Sequence, residues 1–169
     1  SPFSTFYLNR AFFQKICYLI MLLSFYLFLS TRAECLAFLG RYKEAQEVAN
    51  ELLRNDSTNI EAIYIRGLCL YYEDNIDKAF SHFQQVLKLA PDHSKAKEAF
   101  KRARQLKTKK DEGNEAFKAN RYEEAARLYS EALLVDPENK ISNAKLYFNR
   151  ATVGAKVCNN KGNEFTVCL

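Results

Sequence analysis

The chain has 169 residues, 48% of them apolar, with only five Gly and three Pro. That is one domain's length, and so little punctuation excludes an all-β fold, in which turn signals recur every ~8–12 residues. The net charge of +5 permits an acidic partner without demanding one, and five irregularly spaced cysteines, with His82 and His93 beside none of them, exclude a zinc site and suit reduced thiols.

Residues 1–32 form an aromatic-rich apolar segment. The run from Ile16 to Leu29 is interrupted only by Ser24. Its 14 residues would span about 21 Å as a helix, short of the roughly 30 Å hydrocarbon core of a bilayer. Extending back to Ala11 nearly restores the length but takes in Gln14 and Lys15, and Lys15 can snorkel to an interface. A membrane-associated helix and the apolar core of a signal peptide are both open, although no Ala-x-Ala cleavage pattern follows.

A periodicity then sets in. Arg41–Tyr42–Lys43–Glu44–Ala45 aligns with Asn75–Ile76–Asp77–Lys78–Ala79 at an offset of 34 residues, and Arg121–Tyr122–Glu123–Glu124–Ala125 follows 46 residues later. Residues 33–93 hold two such units. In the second, Gly67 and Ala79 are small where two helices must cross closely. Phe83 fills the space between them, Leu70 packs from the other side, and Pro91 stops the second helix. The first unit keeps Ala33, Leu36, Ala45, Ala49 and Leu52, and counting back from Ala45 starts its first helix near Tyr26. Asp56, Ser57, Thr58 and Asn59, then Pro91–Asp92–His93–Ser94, then Pro137–Glu138–Asn139, offer N-caps between units. Cys35 and Cys69 read as small core residues.

Residues 94–110 carry eight basic side chains and one acidic one, Glu98, with a thin apolar stripe at Ala96, Phe100, Ala103 and Leu106. The pattern predicts one long helix over about 92–120, mostly a solvated connector. Phosphate-backbone binding is the sharper alternative, but the run's one aromatic residue, Phe100, belongs to the apolar stripe and no series of aromatics is interleaved to stack on bases, so a nucleic-acid partner is not favoured. Residues 111–156 hold a third unit, with Gly113, Ala125, Tyr129, Ala132 and Pro137 in the same register, and the start of a fourth. Residues 157–169 read as a disordered tail.

Thirty-four residues is the period of the tetratricopeptide repeat, and the chain is identified as an all-α, right-handed superhelix of stacked antiparallel helix pairs. Three blocks, AECLAFLGRYKEAQ, IYIRGLCLYYED and NAKLYFNRATV, resemble the middle of the tetratricopeptide co-chaperones of the DnaJ homologue family, subfamily C member seven, over residues 33–156. The resemblance implies binding to heat-shock chaperones of the seventy- and ninety-kilodalton classes through their acidic C-terminal tails. The His-Pro-Asp signature of a J domain is absent from these residues, so stimulation of an ATPase is not implied.

The resemblance also implies part of a carboxylate clamp. Lys110 and Asn114 match the Lys and Asn that such clamps place one turn apart on one helix. Asn149, in Tyr147–Phe148–Asn149–Arg150, matches the Asn on the next. The closing Lys and Arg would lie beyond Leu169, so weak tail binding is expected. Arg66 stands where a clamp Arg would be, but Ala62 replaces its Lys; Arg66 and Arg150 remain possible groove residues.

The flanks before Ala33 and after Lys156 fall outside the resemblance. Phe, Leu, Ser and Tyr have pyrimidine-rich codons, and a Val codon begins with GT, so translated intron is the expected origin of both. The resulting exposed ends predict marginal stability and self-association. No acid–base pair, nucleophile, phosphate loop or metal spacing is legible, so neither enzyme nor cofactor is expected. A cytoplasmic interaction scaffold is the leading reading, and a membrane-anchored adaptor is the alternative.

Overall fold

The computed structural model describes the backbone of residues 2–160 and the side-chain surroundings of residues 14–158. The described residues form seven helices: α1 (Pro2–Phe38), α2 (Tyr42–Asn55), α3 (Ile60–Tyr72), α4 (Ile76–Leu89), α5 (Ser94–Lys118), α6 (Tyr122–Val135) and α7 (Lys140–Asn160). The fold is an all-α helical-repeat solenoid.

Each pair turns on the same device. Gly40 (φ 76), Asp74 (φ 61) and Asn120 (φ 59) occupy the left-handed region just past the first helix of their pairs. The next amide closes the motif: Arg41 N–H donates to the Leu36 carbonyl at 2.9 Å, Asn75 to Leu70 at 2.8 Å and Arg121 to Ala116 at 2.9 Å. These bonds satisfy carbonyls that a helix end would otherwise orphan. Gly and Asn adopt this conformation readily. Asp is tolerated at some cost.

The turns between pairs are capped from side chains. Asn59 Oδ1 accepts from Ala62 N–H (2.9 Å), His93 Nδ1 from Ala96 N–H (3.0 Å) and Asn139 Oδ1 from Ser142 N–H (3.1 Å). Within pairs, the predicted close crossings are present. A Cβ added at Gly67 would stand 2.7 Å from Phe83 Cε1, and one at Gly113 would stand 2.7 Å from Tyr129 Cε1. Ala45, Ala79 and Ala125 are all fully buried.

Helix α1 is unbroken, and it divides by environment. From Tyr26 onward it packs on α2 through Leu29, Ala33, Leu36 and Ala37. Before that, Tyr18, Leu19, Ile20, Met21, Leu23 and Phe25 are at least half exposed. Cys69 is buried, and burial pushes its thiol up to about 12. Cys35 is exposed, contrary to expectation, because it falls between the buried steps Ala33, Leu36 and Ala37.

The basic helix α5 is more than a solvated connector. Ala96, Ala99, Ala103 and Leu106 are buried, and Phe100 meets Phe80 edge-on at 5.3 Å. Its cations pair with carboxylates from other elements: Lys95 with Glu34 (2.7 Å), Arg102 with Asp136 (3.6 Å), Lys107 with Asp77 (2.8 Å) and Lys109 with Glu131 (2.7 Å). Only Lys101 and Arg104 of the run lack a partner among the described residues. Each exposed pair contributes about 0–1 kcal/mol, but together they account for the charge run without a phosphate ligand. At the far end α7 continues past Lys156 through the half-buried Val157 to Asn160. The rest of the expected tail, residues 161–169, lies outside the described residues.

Candidate peptide-binding groove

The C-terminal half of α5 and the helix α7 are the first helices of consecutive pairs. Lys110 and Asn114 are one turn apart on α5, and Lys145 and Asn149 are one turn apart on α7. Residues four apart share a helix face, so the two helices present two matched rungs.

The upper rung is the asparagine pair. Asn149 Nδ2 donates to Asn114 Oδ1 at 3.4 Å, and the Tyr129 hydroxyl donates to the same oxygen at 2.8 Å. With its oxygen engaged twice, Asn114 keeps its Nδ2 hydrogens for a ligand; no partner for them occurs among the described residues. A cavity of about 250 Å³ opens here, lined by Asn114, Phe117, Lys118, Tyr129, Phe148, Asn149 and Thr152. Phe148 is 72% exposed, so an apolar ligand side chain has a surface to cover. Lys118 is exposed and has no partner among the described residues. Sequence reasoning missed it, although it lies one turn after Asn114 and the same spacing argument reaches it.

The lower rung is ionic. Lys110 Nζ lies 3.1 and 3.3 Å from the two Asp74 carboxylate oxygens, Ser142 Oγ donates to Oδ1 at 2.7 Å, and Lys145 pairs with Oδ2. The Asp74 side chain is only 4% exposed. Burial raises the Asp74 carboxyl, but Lys145, Ser142 and Lys110 outweigh it and hold it below the usual carboxylate range. A lowered folded value means that this stabilisation is present above the unfolded value of about 3.9 and is lost as pH falls through the folded one. Thermal melting of wild type should therefore fall more steeply between about pH 5 and pH 2 than that of Asp74→Asn. Parallel curves would contradict this.

The structure thus brings Asn114 and Asn149 together and sets Lys110 one rung below them, on Asp74. The other two candidates stand apart. Arg66 on α3 is half-buried without a partner among the described residues. Arg150 points about 100° round α7 from Asn149, where its guanidinium lies 5.3 Å from the Tyr147 ring centroid and 3.4 Å from Ser130 Oγ. It lines a shallower depression with Leu134, Pro137 and Lys140. Among the described residues no group of His, Cys, Asp and Glu has a metal-binding arrangement.

Residues 60–93 and 110–152 each match the family model for the tetratricopeptide repeat. Over 126 residues, 75% of this chain, it is 59% identical to the human and the mouse DnaJ homolog subfamily C member 7. It is 44% identical over 122 residues to the fission-yeast homolog of that protein. In each case the chain spans about a quarter of the relative, 26% of its length.

Proposed function

We propose that this chain, a solenoid of tetratricopeptide repeats similar to DnaJ homolog subfamily C member 7, is a cytoplasmic, non-enzymatic interaction segment of co-chaperone type. Its groove between α5 and α7 would take the acidic C-terminal tail of heat-shock chaperones of the seventy- and ninety-kilodalton classes. The observation that carries this is the Asn114–Asn149 contact, which joins residues 35 apart in sequence at a cavity with Lys118, a cation without a partner among the described residues, on its rim. A terminal carboxylate entering there accepts from Asn114 Nδ2 and draws on Lys110, Lys118 and Lys145 for charge. Phe117 and Phe148 cover the adjoining apolar side chain.

Charge-assisted hydrogen bonds contribute about 1.5–3 kcal/mol each. An acidic peptide with a free C-terminus should therefore bind about tenfold or more tighter than the same peptide amidated, and Asn114→Ala should erase most of the difference. Calorimetric titration is the measurement, and equal affinity for the two peptides would falsify the clamp.

The exposed half of α1 favours a second role, that of a membrane-anchored adaptor. The helix segment Gln14–Phe38 contains an 18-residue window with a mean hydropathy of 1.7 and is long enough to cross a bilayer by length and composition.

A further inference from the structure

Asp74 occupies the place of a ligand. It belongs to the turn between α3 and α4, yet its carboxylate lies between Lys110 of α5 and Lys145 of α7, with Ser142 as a third donor. The asparagine rung of the groove stands one turn above, about 6 Å along the helices. The corresponding residues of the neighbouring pairs, Gly40 and Asn120, make the same left-handed turn without a charge. The turn therefore does not need the carboxylate. What the carboxylate adds is specific to this position: it neutralises one of two ammonium groups and ties the second pair to the start of α7. Asn139 Nδ2 reinforces that tie by donating to the Tyr71 carbonyl at 3.2 Å.

We infer that Asp74 is a built-in competitor, an internal carboxylate that occupies the cationic rung and must share or surrender Lys110 and Lys145 when an anionic peptide terminus enters. The inference rests on the groove being the peptide site. Two carboxylates near two lysines repel each other, so wild-type affinity is lowered by the internal anion and not by poor geometry of the asparagine rung. Surrender of the lysines would also loosen α7 from the turn after α3, which links occupancy of the groove to the curvature of the solenoid.

The test is titration of an acidic peptide, with free and with amidated C-terminus, into the wild-type chain, Asp74→Asn, Asp74→Gly and Asp74→Glu. Asn and Gly already serve at this turn, so both neutral variants keep the backbone conformation. The free-carboxylate peptide should bind Asp74→Asn and Asp74→Gly about three- to tenfold tighter than wild type, a gain that shrinks with salt. Asp74→Glu, which keeps the anion, should gain little. If the peptide binds wild type with carboxylate preference and the neutral variants bind it equally or more weakly, Asp74 positions the lysines and the competitor idea is wrong. If no protein in the series prefers the free carboxylate, the groove assignment itself fails and takes this inference with it.

Discussion

Phe83→Ala should lower the unfolding free energy by about 3–5 kcal/mol, read from urea denaturation followed by circular dichroism. Phe83 is fully buried, and its ring lies so close to α3 that a Cβ on Gly67 would be 2.7 Å from Cε1 and 2.9 Å from Cδ1. Deleting the ring opens a void that two crossed helices cannot close without sliding, so the cavity term is near its upper range. The reciprocal change, Gly67→Ala, forces the methyl into a ring that has no room to move and should cost about 1–3 kcal/mol. The two effects have one cause. The double variant should therefore be more stable than the sum of the singles predicts, because the void left by the ring accepts the methyl. A Phe83→Ala cost below about 1 kcal/mol would mean that this crossing does not hold the pair together. In a solenoid each unit leans only on its neighbours, so loss of the central pair should also uncouple α1–α2 from α5–α7, and denaturation should broaden.

This crossing was legible in the sequence because both residues obey a local period. Gly67 and Phe83 sit at fixed offsets within one unit, and Gly113 with Tyr129 repeats them. The caps were legible for the same reason: a polar side chain that reaches an amide three residues on needs no knowledge of the rest of the fold. The asparagine pair was named through the family resemblance, and local spacing then placed Asn114 beside Lys110. Asp74 was not foreseen. Its partners Lys110, Ser142 and Lys145 are 36, 68 and 71 residues away. Which side chains meet across units depends on how far each pair rotates on the last. No short pattern encodes it. Cys35 is the opposite case. The three- and four-residue steps through Ala33, Leu36 and Ala37 put it on the outer face, so the period already contained the answer and the residue type misled.

The apolar half of α1 yields the other large effect. If α1 anchors the chain in a bilayer, the chain should sediment with liposomes and resist alkaline carbonate, and Leu19→Lys combined with Leu23→Lys should return it to the supernatant. Both leucines are more than half exposed, so neither substitution disturbs the solenoid. Each Lys near the centre of a bilayer costs about 2.5–3.5 kcal/mol on insertion scales, enough together to reverse partitioning of a marginal span. The distribution of exposed side chains favours a bilayer over a protein as the cover of the membrane-anchored alternative. A helix that docks on a protein shows one apolar stripe and a polar back. Here Tyr18, Leu19, Ile20 and Met21 are consecutive, so they point in all directions, and all four are 56–63% exposed. An apolar medium satisfies every side at once. The stretch free of the solenoid, residues 11–25, supplies about 22 Å of helix, short of the roughly 30 Å hydrocarbon core, so the span is marginal and needs local thinning of the bilayer with Lys15 snorkelling. A wild-type chain that stays in the supernatant as a monomer rejects the membrane, and lipid-independent oligomers would assign the helix to contact between copies. If the chain does insert, the consequence reaches the groove. Leu29, Ala33, Leu36 and Ala37 clamp the same unbroken helix to α2. No hinge separates lipid from solenoid, so the angle at which α1 crosses the bilayer would fix the direction in which the groove between α5 and α7 faces its peptide.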